Sequence, residues 1–156
     1  MKQLITIFCI LFTIGLFAQE DQKKLVKQTI ETFFDGFHKG DTTVMKSVMM
    51  DKMVLQTAFV NRDGKDILRN DGGPEKLLDA IENRPDDQKW DEQLTAFSIQ
   101  VDGNMANAWV DYEFWLNDNF SHCGVNSFQL FRENGQWKII YLIDTRRRQG
   151  CEAFKG

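Results

Sequence analysis

The sequence predicts an α+β domain in which helices pack against one face of a mainly antiparallel β-sheet. Two observations favour this fold class: an amphipathic helical pattern over residues 21–39 and a series of long alternating strand patterns from residue 97 onward. Each pattern has one apolar side, so the two apolar sides are expected to bury each other. The chain has 156 residues, which fits a single domain, and no internal repeat or linker is visible.

The first 19 residues are predicted to be a secretory signal peptide. Lys2 supplies a positive charge, residues 4–18 are apolar but too few to span a membrane comfortably, and the chain becomes polar from Gln19. Cleavage is expected after Ala18, although Leu16 departs from the usual small residue at the third position before the cut. We therefore expect an exported protein, periplasmic or extracellular, in which residues 20–156 form one domain that has no membrane contact after cleavage.

Three helices are predicted, each with a recognisable start or end signal. The first carries a broad apolar stripe at helical spacing, which must be buried. Glycine favours helix C-termini, aspartate favours N-caps, and proline favours the first helical position. The predicted helices are residues 21–39, ended by Gly40; residues 42–50, capped by Asp41; and residues 75–83, opened by Pro74.

Six strands are predicted in two groups. The first group is a hairpin in which residues 53–61 turn at Asp63-Gly64 into a short partner, residues 66–69. The second group contains four longer strands that pair in sequence order as an antiparallel sheet. These four strands cover residues 97–101, 105–116, 122–132 and 137–147.

The last hairpin has the strongest turn signal in the chain. Asn134-Gly135 supplies the positive φ angles of a type I′ turn, so Glu133 is expected to face Gln136. Residues two apart then share a face of the sheet. The register that follows pairs Leu130 with Ile139, Phe128 with Tyr141 and Asn126 with Ile143.

The two preceding connections complete the predicted sheet. A turn at Asp102-Gly103 is expected to pair Ile99 with Ala106 and Phe97 with Ala108. A two-residue loop at Asp118-Asn119 would put Val110 and Phe114 on the opposite face of the sheet from Phe128 and Leu130. We therefore expect a loop with an odd number of residues, with a β-bulge as the alternative.

Polar side chains interrupt the apolar inner face of this predicted sheet. Polar groups on an otherwise apolar concave surface are typical of a small-molecule pocket. The buried amide of Asn126 needs a partner, because an unpaired buried amide costs about 1 to 3 kcal/mol. The candidate ligand-binding residues are Tyr112, Asn126 and Tyr141 inside the pocket, with His122 and Arg147 near its mouth.

Four segments carry a resemblance to a known family: Gly40-Asp41, residues 121–128, residues 135–139 and residues 144–151. With the order of the elements, they make the chain similar to the NTF2-like superfamily (nuclear transport factor 2, SnoaL-like). The nearest branch is the exported bacterial one labelled "putative lumazine-binding". The resemblance implies a cone: three helices on the concave side of a strongly bent, mainly antiparallel sheet, a pocket between them, and dimers formed through the outer sheet face.

The outer face of the predicted sheet is too apolar to be left in water. A homodimer that joins two such faces would bury it. We expect that interface to contain Trp109, Trp115, Val125, Phe131, Ile140 and Leu142.

Two cysteines remain after removal of the signal peptide with Cys9. Cys123 and Cys151 are an even pair in an oxidising compartment, and Gly150 lets the tail fold back toward Cys123, which the register places opposite Arg146. A disulfide between them is predicted. The alternative is two free thiols, since a bridge requires Cα atoms within about 7 Å.

Several functions are disfavoured by composition and motifs. The net charge of −4 argues against nucleic-acid binding, and the sequence has no cluster with metal-ligand spacing and no phosphate-binding loop. Enzymes of the superfamily place an Asp, often with Tyr or His, inside the cone. No such set is predicted here, because Asp111 and Glu113 fall on the outer face and His38 is expected to cap its helix.

The leading hypothesis is therefore an exported, non-catalytic protein that binds a small planar or partly aromatic molecule, with no cofactor, metal or catalytic residue. One alternative is an isomerase- or dehydratase-type enzyme, which requires an Asp or Glu with a raised pKa within reach of Tyr112 or Tyr141. Another is a dimeric module that binds a partner through the outer sheet face.

Overall fold

The computed structural model describes the backbone of residues 2–151 and the side chains of residues 19–151. The signal peptide predicted for residues 1–19 thus lies outside the described side chains, apart from Gln19. Within the part of the chain whose side chains are described, no helix is long and apolar enough to cross a membrane.

The described residues form three helices and six strands in the predicted order. Strand β4 has the predicted bounds, whereas helix α2 ends three residues early and strand β1 begins four residues early. The elements are α1 (Lys2–Lys39), α2 (Thr42–Ser47), β1 (Met49–Val60), β2 (Asp66–Gly72), α3 (Glu75–Glu82), β3 (Trp90–Asp102), β4 (Met105–Leu116), β5 (Asn119–Glu133) and β6 (Gln136–Arg146).

All six strands belong to one bent, unclosed sheet with the order β2-β1-β6-β5-β4-β3. Strands β3 to β6 are antiparallel neighbours in sequence order, as predicted. Strand β1 lies beside β6 and runs parallel to it, and it carries β2 as an antiparallel edge strand. The mixed helix and strand fold predicted from the sequence is confirmed.

Helices α1 and α2 meet at a tight corner. Gly40 has a φ of +74°, and the Asp41 side chain accepts hydrogen bonds from the backbone N–H groups of Thr43 (3.0 Å) and Val44 (3.1 Å). A Cβ on Gly36 would lie 2.7 Å from the Met45 side chain. Because glycine lacks a Cβ, α2 can pack directly on α1.

The core lies between α1 and the concave face of the sheet. Val26, Ile30 and Phe33 are buried against inward side chains of β4, β5 and β6. The inner positions of β4 include Ala106 and Ala108, which are small. They leave room for the large α1 side chains to approach the sheet, as expected of close packing. The inward orientation predicted for β4 is confirmed.

The last hairpin begins in the predicted register and then changes. Glu133 pairs with Gln136 and Leu130 with Ile139, which confirms the Asn134-Gly135 turn. Ile140 is then an extra residue in β6, so Gln129 pairs with Tyr141, Phe128 with Leu142 and Asn126 with Asp144. The predicted pairs Phe128–Tyr141 and Asn126–Ile143 are wrong. A one-residue bulge moves every later side chain of the strand to the other face.

The other two turns also differ in detail. Asp102 pairs with Met105, so Ile99 faces Ala108 and Phe97 faces Val110, two positions away from the prediction. A shift of two leaves each side chain on its predicted face. Between β4 and β5 the loop has two residues, with Leu116 opposite Asn119, so the odd loop is wrong. The alternative is found instead, a bulge at Ser121.

Candidate ligand-binding site

A cavity of about 550 Å³ lies between the concave face of the sheet and helices α1 and α3. Two sets of side chains define it, and charged residues from β2 and α3 also line it. The aromatic wall consists of Phe33, Phe34, Phe37, Trp90 and Phe114. The polar cluster consists of Glu92, His122, Asn126, Asp144 and Arg146.

The aromatic wall is built from rings that contact one another edge to face or at a tilt. The Phe33 and Phe34 ring centroids are 5.2 Å apart, and Phe37 lies 5.8 Å from Trp90 and 6.4 Å from Phe114. Helical spacing on α1 places the three phenylalanines on one side of the helix. Rings held in this way offer an apolar surface that suits a planar ligand.

Glu92 is one of the two acidic residues of the polar cluster, and the sequence interpretation missed both. Its Oε1 accepts a 2.7 Å hydrogen bond from Asn126 Nδ2. Burial and the Asp144 charge raise the pKa of Glu92 to about 7, although the hydrogen bond from Asn126 and the Arg146 charge act against this rise. Near neutral pH this carboxyl group is therefore able to accept or release a proton.

A bulge in β3 explains why Glu92 faces the cavity. Leu94 pairs with Tyr112 and Ala96 with Asp111, so Thr95 is an extra residue. After the bulge, the residues of β3 that face inward have odd numbers, as Phe97 does. Before the bulge, they have even numbers, as Glu92 does. The alternation of Trp90, Glu92 and Leu94 ahead of the predicted strand was the sequence signal that could have revealed the inward carboxyl group.

Asp144 is held by three neighbouring side chains. Its Oδ1 accepts a 2.7 Å hydrogen bond from Thr57 Oγ1, and its Oδ2 accepts a 2.6 Å bond from Arg146 Nε. The Tyr112 hydroxyl lies 3.4 Å from Oδ2 and donates a shorter 2.8 Å bond to the Thr145 carbonyl. Burial and the nearby acidic groups raise the pKa of Tyr112. Tyr112 therefore remains a neutral hydroxyl engaged with the protein.

His122 is a neutral imidazole at the side of the polar cluster. Burial and, less strongly, the Arg146 charge lower its pKa to about 4. Its ring lies 5.0 Å from the Phe114 ring, and Nδ1 is 3.1 Å from the Ser121 hydroxyl. It therefore joins the aromatic wall to the polar cluster.

His38 ties α1 to β3 behind the cavity. The backbone N–H of Glu92 donates a 3.0 Å hydrogen bond to His38 Nε2, whose pKa is lowered chiefly by burial. This contact replaces the helix-capping role predicted from the sequence. It fixes the backbone that carries the Glu92 carboxyl group.

The structure brings together some of the predicted site residues and separates others. Asn126 and His122 line the cavity, and Tyr112 points inward with its hydroxyl already bonded. The inward orientation predicted for Tyr141 is wrong, because the Ile140 bulge turns it outward, where its hydroxyl donates to Gln56. The same bulge places Arg146 in the cavity, whereas Arg147 lies opposite Cys123 instead. The ligand-binding roles predicted for the five site residues stay predictions.

Charged residues surround the outer part of the cavity. Arg69 and Lys76 both form ion pairs with Asp71, and the Arg69 guanidinium also donates to Thr57 Oγ1 at 3.2 Å. Among the described residues, no group of three or more His, Cys, Asp or Glu side chains could hold a metal ion. The site as built offers hydrogen bonds, a titratable carboxyl group and an apolar wall.

An α+β cone with helices inside a bent sheet and a pocket between them is the NTF2-like fold. The chain belongs to the family described as "Putative lumazine-binding", which matches residues 21–141. Among curated proteins, none matches the sequence of this chain.

Solved structures share the fold at low sequence identity. An NTF2-like protein of unknown function from Shewanella baltica is 19% identical, with 83% of this chain and 96% of that chain covered and a TM-score of 0.60. One from Pseudomonas putida is 16% identical, with coverages of 84% and 90% and a TM-score of 0.65. The β subunit of a putative aromatic-ring-hydroxylating dioxygenase from Novosphingobium aromaticivorans is 11% identical, with coverages of 83% and 91% and a TM-score of 0.66.

The buried carboxyl group of Glu92 gives a prediction about stability. Its pKa in the folded state is about 7, above the ordinary value of 4.5, so the folded protein binds this proton more tightly than the unfolded chain. Its contribution to the free energy of unfolding is full below pH 4.5 and is lost as the pH rises to 7. The loss is about 3 kcal/mol. Glu92→Gln should therefore unfold at higher urea than the wild type at pH 8, with a smaller difference at pH 4.5.

The histidines titrate in both the wild type and Glu92→Gln, so their effects cancel in the difference between the two unfolding free energies. Glu82→Gln is the matched control, because Glu82 is exposed at the end of α3. A constant difference between wild type and Glu92→Gln across this pH range would contradict the raised pKa.

Proposed function

We propose that this protein is an exported binding protein that holds a small planar or partly aromatic molecule in the cavity without changing it. The observation that carries the proposal is the cavity itself, which combines the aromatic wall with the polar cluster. A volume of about 550 Å³ lies in the range of small-molecule sites. Family membership supports the same class of function, since the family description, "Putative lumazine-binding", names a small-molecule ligand.

The polar cluster supports ligand binding because, without a ligand, its buried polar and ionisable groups reduce the stability of the folded protein. Asn126 and Asp144 are both buried, and Glu92 lies within hydrogen-bonding distance of Asn126. Burying ionisable groups beside one another reduces stability unless hydrogen bonds compensate. A ligand that bonds to this cluster would supply part of that compensation and would be oriented by it.

The second candidate function is an enzyme that transfers a proton. The specific observation in its favour is Glu92, a carboxyl group with a raised pKa on the same inner surface as Tyr112. This is the feature that the sequence interpretation required for an isomerase- or dehydratase-type activity. The two candidates differ in whether the captured molecule leaves the protein chemically unchanged.

Blocking the cavity tests the binding proposal. Ala80 on α3 lines the cavity, and Ala80→Trp should fill its opening. We expect native mass spectrometry to find a small molecule on the wild-type protein and none on the variant. Asp79→Trp adds the same bulk at an exposed position on the same helix and should keep the molecule. Equal capture by all three proteins would place the molecule elsewhere.

Export and the cysteine pair belong to the same proposal. The Cα atoms of Cys123 and Cys151 are 5.8 Å apart, a separation that supports a disulfide. Cys151 follows the end of β6 by five residues. Cys123 sits in the sheet, opposite Arg147, so a bridge would hold the chain that follows β6 against β5. A bridge of this kind suits an oxidising compartment.

The intact mass of the protein tests both points. When the full chain is expressed in a bacterial host, the protein recovered from the periplasm should lack residues 1–18. Its non-reduced mass should also be lower than that of the reduced form by two hydrogen atoms. Cys151→Ser should show no such difference on reduction. A full-length mass, or two thiols that react with iodoacetamide without reduction, would contradict export or the bridge respectively.

We also propose that a second copy of the protein covers the outer sheet face. Trp109 is 52% exposed and Ile140 is 36% exposed, which supports an interface because large apolar side chains rarely stay in water as a group. Trp115 has a buried Nε1 with no hydrogen-bond partner. One member of the predicted interface is corrected: Leu142 is buried and lines the cavity, because the Ile140 bulge turns it inward.

A charge at the centre of this face should separate the two copies. Trp109→Glu is expected to move the protein from dimer to monomer in size-exclusion chromatography with light scattering, since ionised carboxylates are costly to bury. Leu25→Glu introduces the same charge at an exposed position of α1 and should leave the dimer intact. A wild-type protein that is already monomeric at micromolar concentration would rule out the interface.

A further inference from the structure

Resting on the proposed function, we infer that the ligand presents planar N–H donors, neutral or preferably cationic, to the polar cluster, and that the site disfavours an anionic group there. The ligand class is an aromatic or heteroaromatic amidine, or less strongly an amide.

The cluster has acceptor positions to spare. Glu92 receives one hydrogen bond, from Asn126 Nδ2, and no other side chain among the described residues donates to its carboxyl group. The Asn126 amide donates one of its two N–H groups to Glu92, and no side chain among the same residues donates to its carbonyl oxygen. Both residues line the cavity, so a ligand donor has two acceptors within its reach.

Several donors next to these acceptors are already used. Thr57 Oγ1 and Arg146 Nε both donate to Asp144, and the Tyr112 hydroxyl donates to the Thr145 carbonyl. At the outer part of the cavity, Arg69 and Lys76 are paired with Asp71. The donors that these bonds leave in the cluster are the second N–H of Asn126 and the Nη groups of Arg146, whose guanidinium is already paired with Asp144.

The charges of the polar cluster also favour a cationic ligand group. When Glu92 is ionised, it and Asp144 carry two negative charges against the single positive charge of Arg146. Arg146 is already paired with Asp144 at 2.6 Å. A cationic donor beside Glu92 would neutralise the remaining charge, and charge-assisted hydrogen bonds are roughly twice as strong as neutral ones.

Binding of a cation should be linked to the Glu92 proton. The groups that face or adjoin Glu92 are Asn126 and His122 from β5, Asp144 and Arg146 from β6, Tyr112 from β4 and His38 from α1. Both histidines have lowered pKa values, and Tyr112 stays neutral. Glu92, with its pKa of about 7, is therefore the group whose ionisation changes between pH 5.5 and 8. Affinity for a cation should fall as the pH is lowered through 7, because Glu92 then loses its charge.

Three probes of equal size and planarity test the inference: benzamidinium, benzamide and benzoate. Their affinities for the mature wild-type protein are measured by protein-observed NMR at pH 8 and pH 5.5. At pH 8 we expect benzamidinium to bind about tenfold more tightly than benzamide, and benzoate to bind most weakly. At pH 5.5 the preference for benzamidinium over benzamide should shrink.

Two variants assign the preference to Glu92. In Glu92→Gln the ratio of benzamidinium to benzamide affinity should fall to near one, because the neutral amide gives no preference for a cation. Glu82→Gln removes an exposed carboxyl group outside the cavity and should keep the wild-type ratio.

Benzoate binding as tightly as benzamidinium at pH 8, or an unchanged ratio in Glu92→Gln, overturns the inference. Uptake of none of the three probes at millimolar concentration overturns it as well. The proposed function is judged separately, by the molecule captured on the wild-type protein and lost from Ala80→Trp. A captured molecule together with a preference for benzoate would refute the ligand class and leave the binding function standing.

Discussion

The polar cluster depends on two residues that have no partner across the sheet, Thr95 in β3 and Ile140 in β6. Each is a one-residue insertion that reverses which side chains of its strand face the helices. Without the first, Glu92 would lie on the outer face. Without the second, Asp144 would do so too, and Tyr141 would take the place of Leu142 inside the cone. The two bulges thus decide the chemical character of the cavity.

The same bulges help to explain the shape of the sheet. Bulged strands bend and twist more strongly than regular ones, and a further irregularity at Ser121 lies near the β4–β5 turn. A bent sheet curves around α1, and Val26 and Ile30 of this helix pack into the core on the concave side. Phe33, Phe34 and Phe37 belong to the same core and also line the cavity. The fold therefore places a site with one aromatic wall and one polar cluster next to a well-packed core.

The polar cluster is a feature that stability alone would not favour. A buried carboxyl group with a raised pKa makes the folded state less stable at neutral pH, whereas an apolar side chain in its place would not. Local arrangements that reduce stability concentrate at functional sites. The Glu92 backbone N–H donates a hydrogen bond to His38, and Asn126 donates one to the Glu92 carboxyl group, so the carboxyl group is held in one position. Distant structures with this fold share the cone, but the side chains inside it define what each protein can bind.

The features that could be predicted from the sequence are the order of the elements, the Asn134-Gly135 turn, the Asp41 cap, the apolar stripe of α1 and the inward face of β4. These features depend on local propensities and on regular periodicity, which are readable from neighbouring residues. Asn126 and His122 were found because they lie in strands whose alternation is unbroken between the turn and the site. The sequence interpretation did not predict that Glu92, Asp144 and Arg146 line the site. It predicted Tyr141 and Arg147 there instead. These positions became clear in the folded structure, because a bulge of one residue is stabilised by contacts across the sheet, and the alternation on either side of it does not reveal where the extra residue lies.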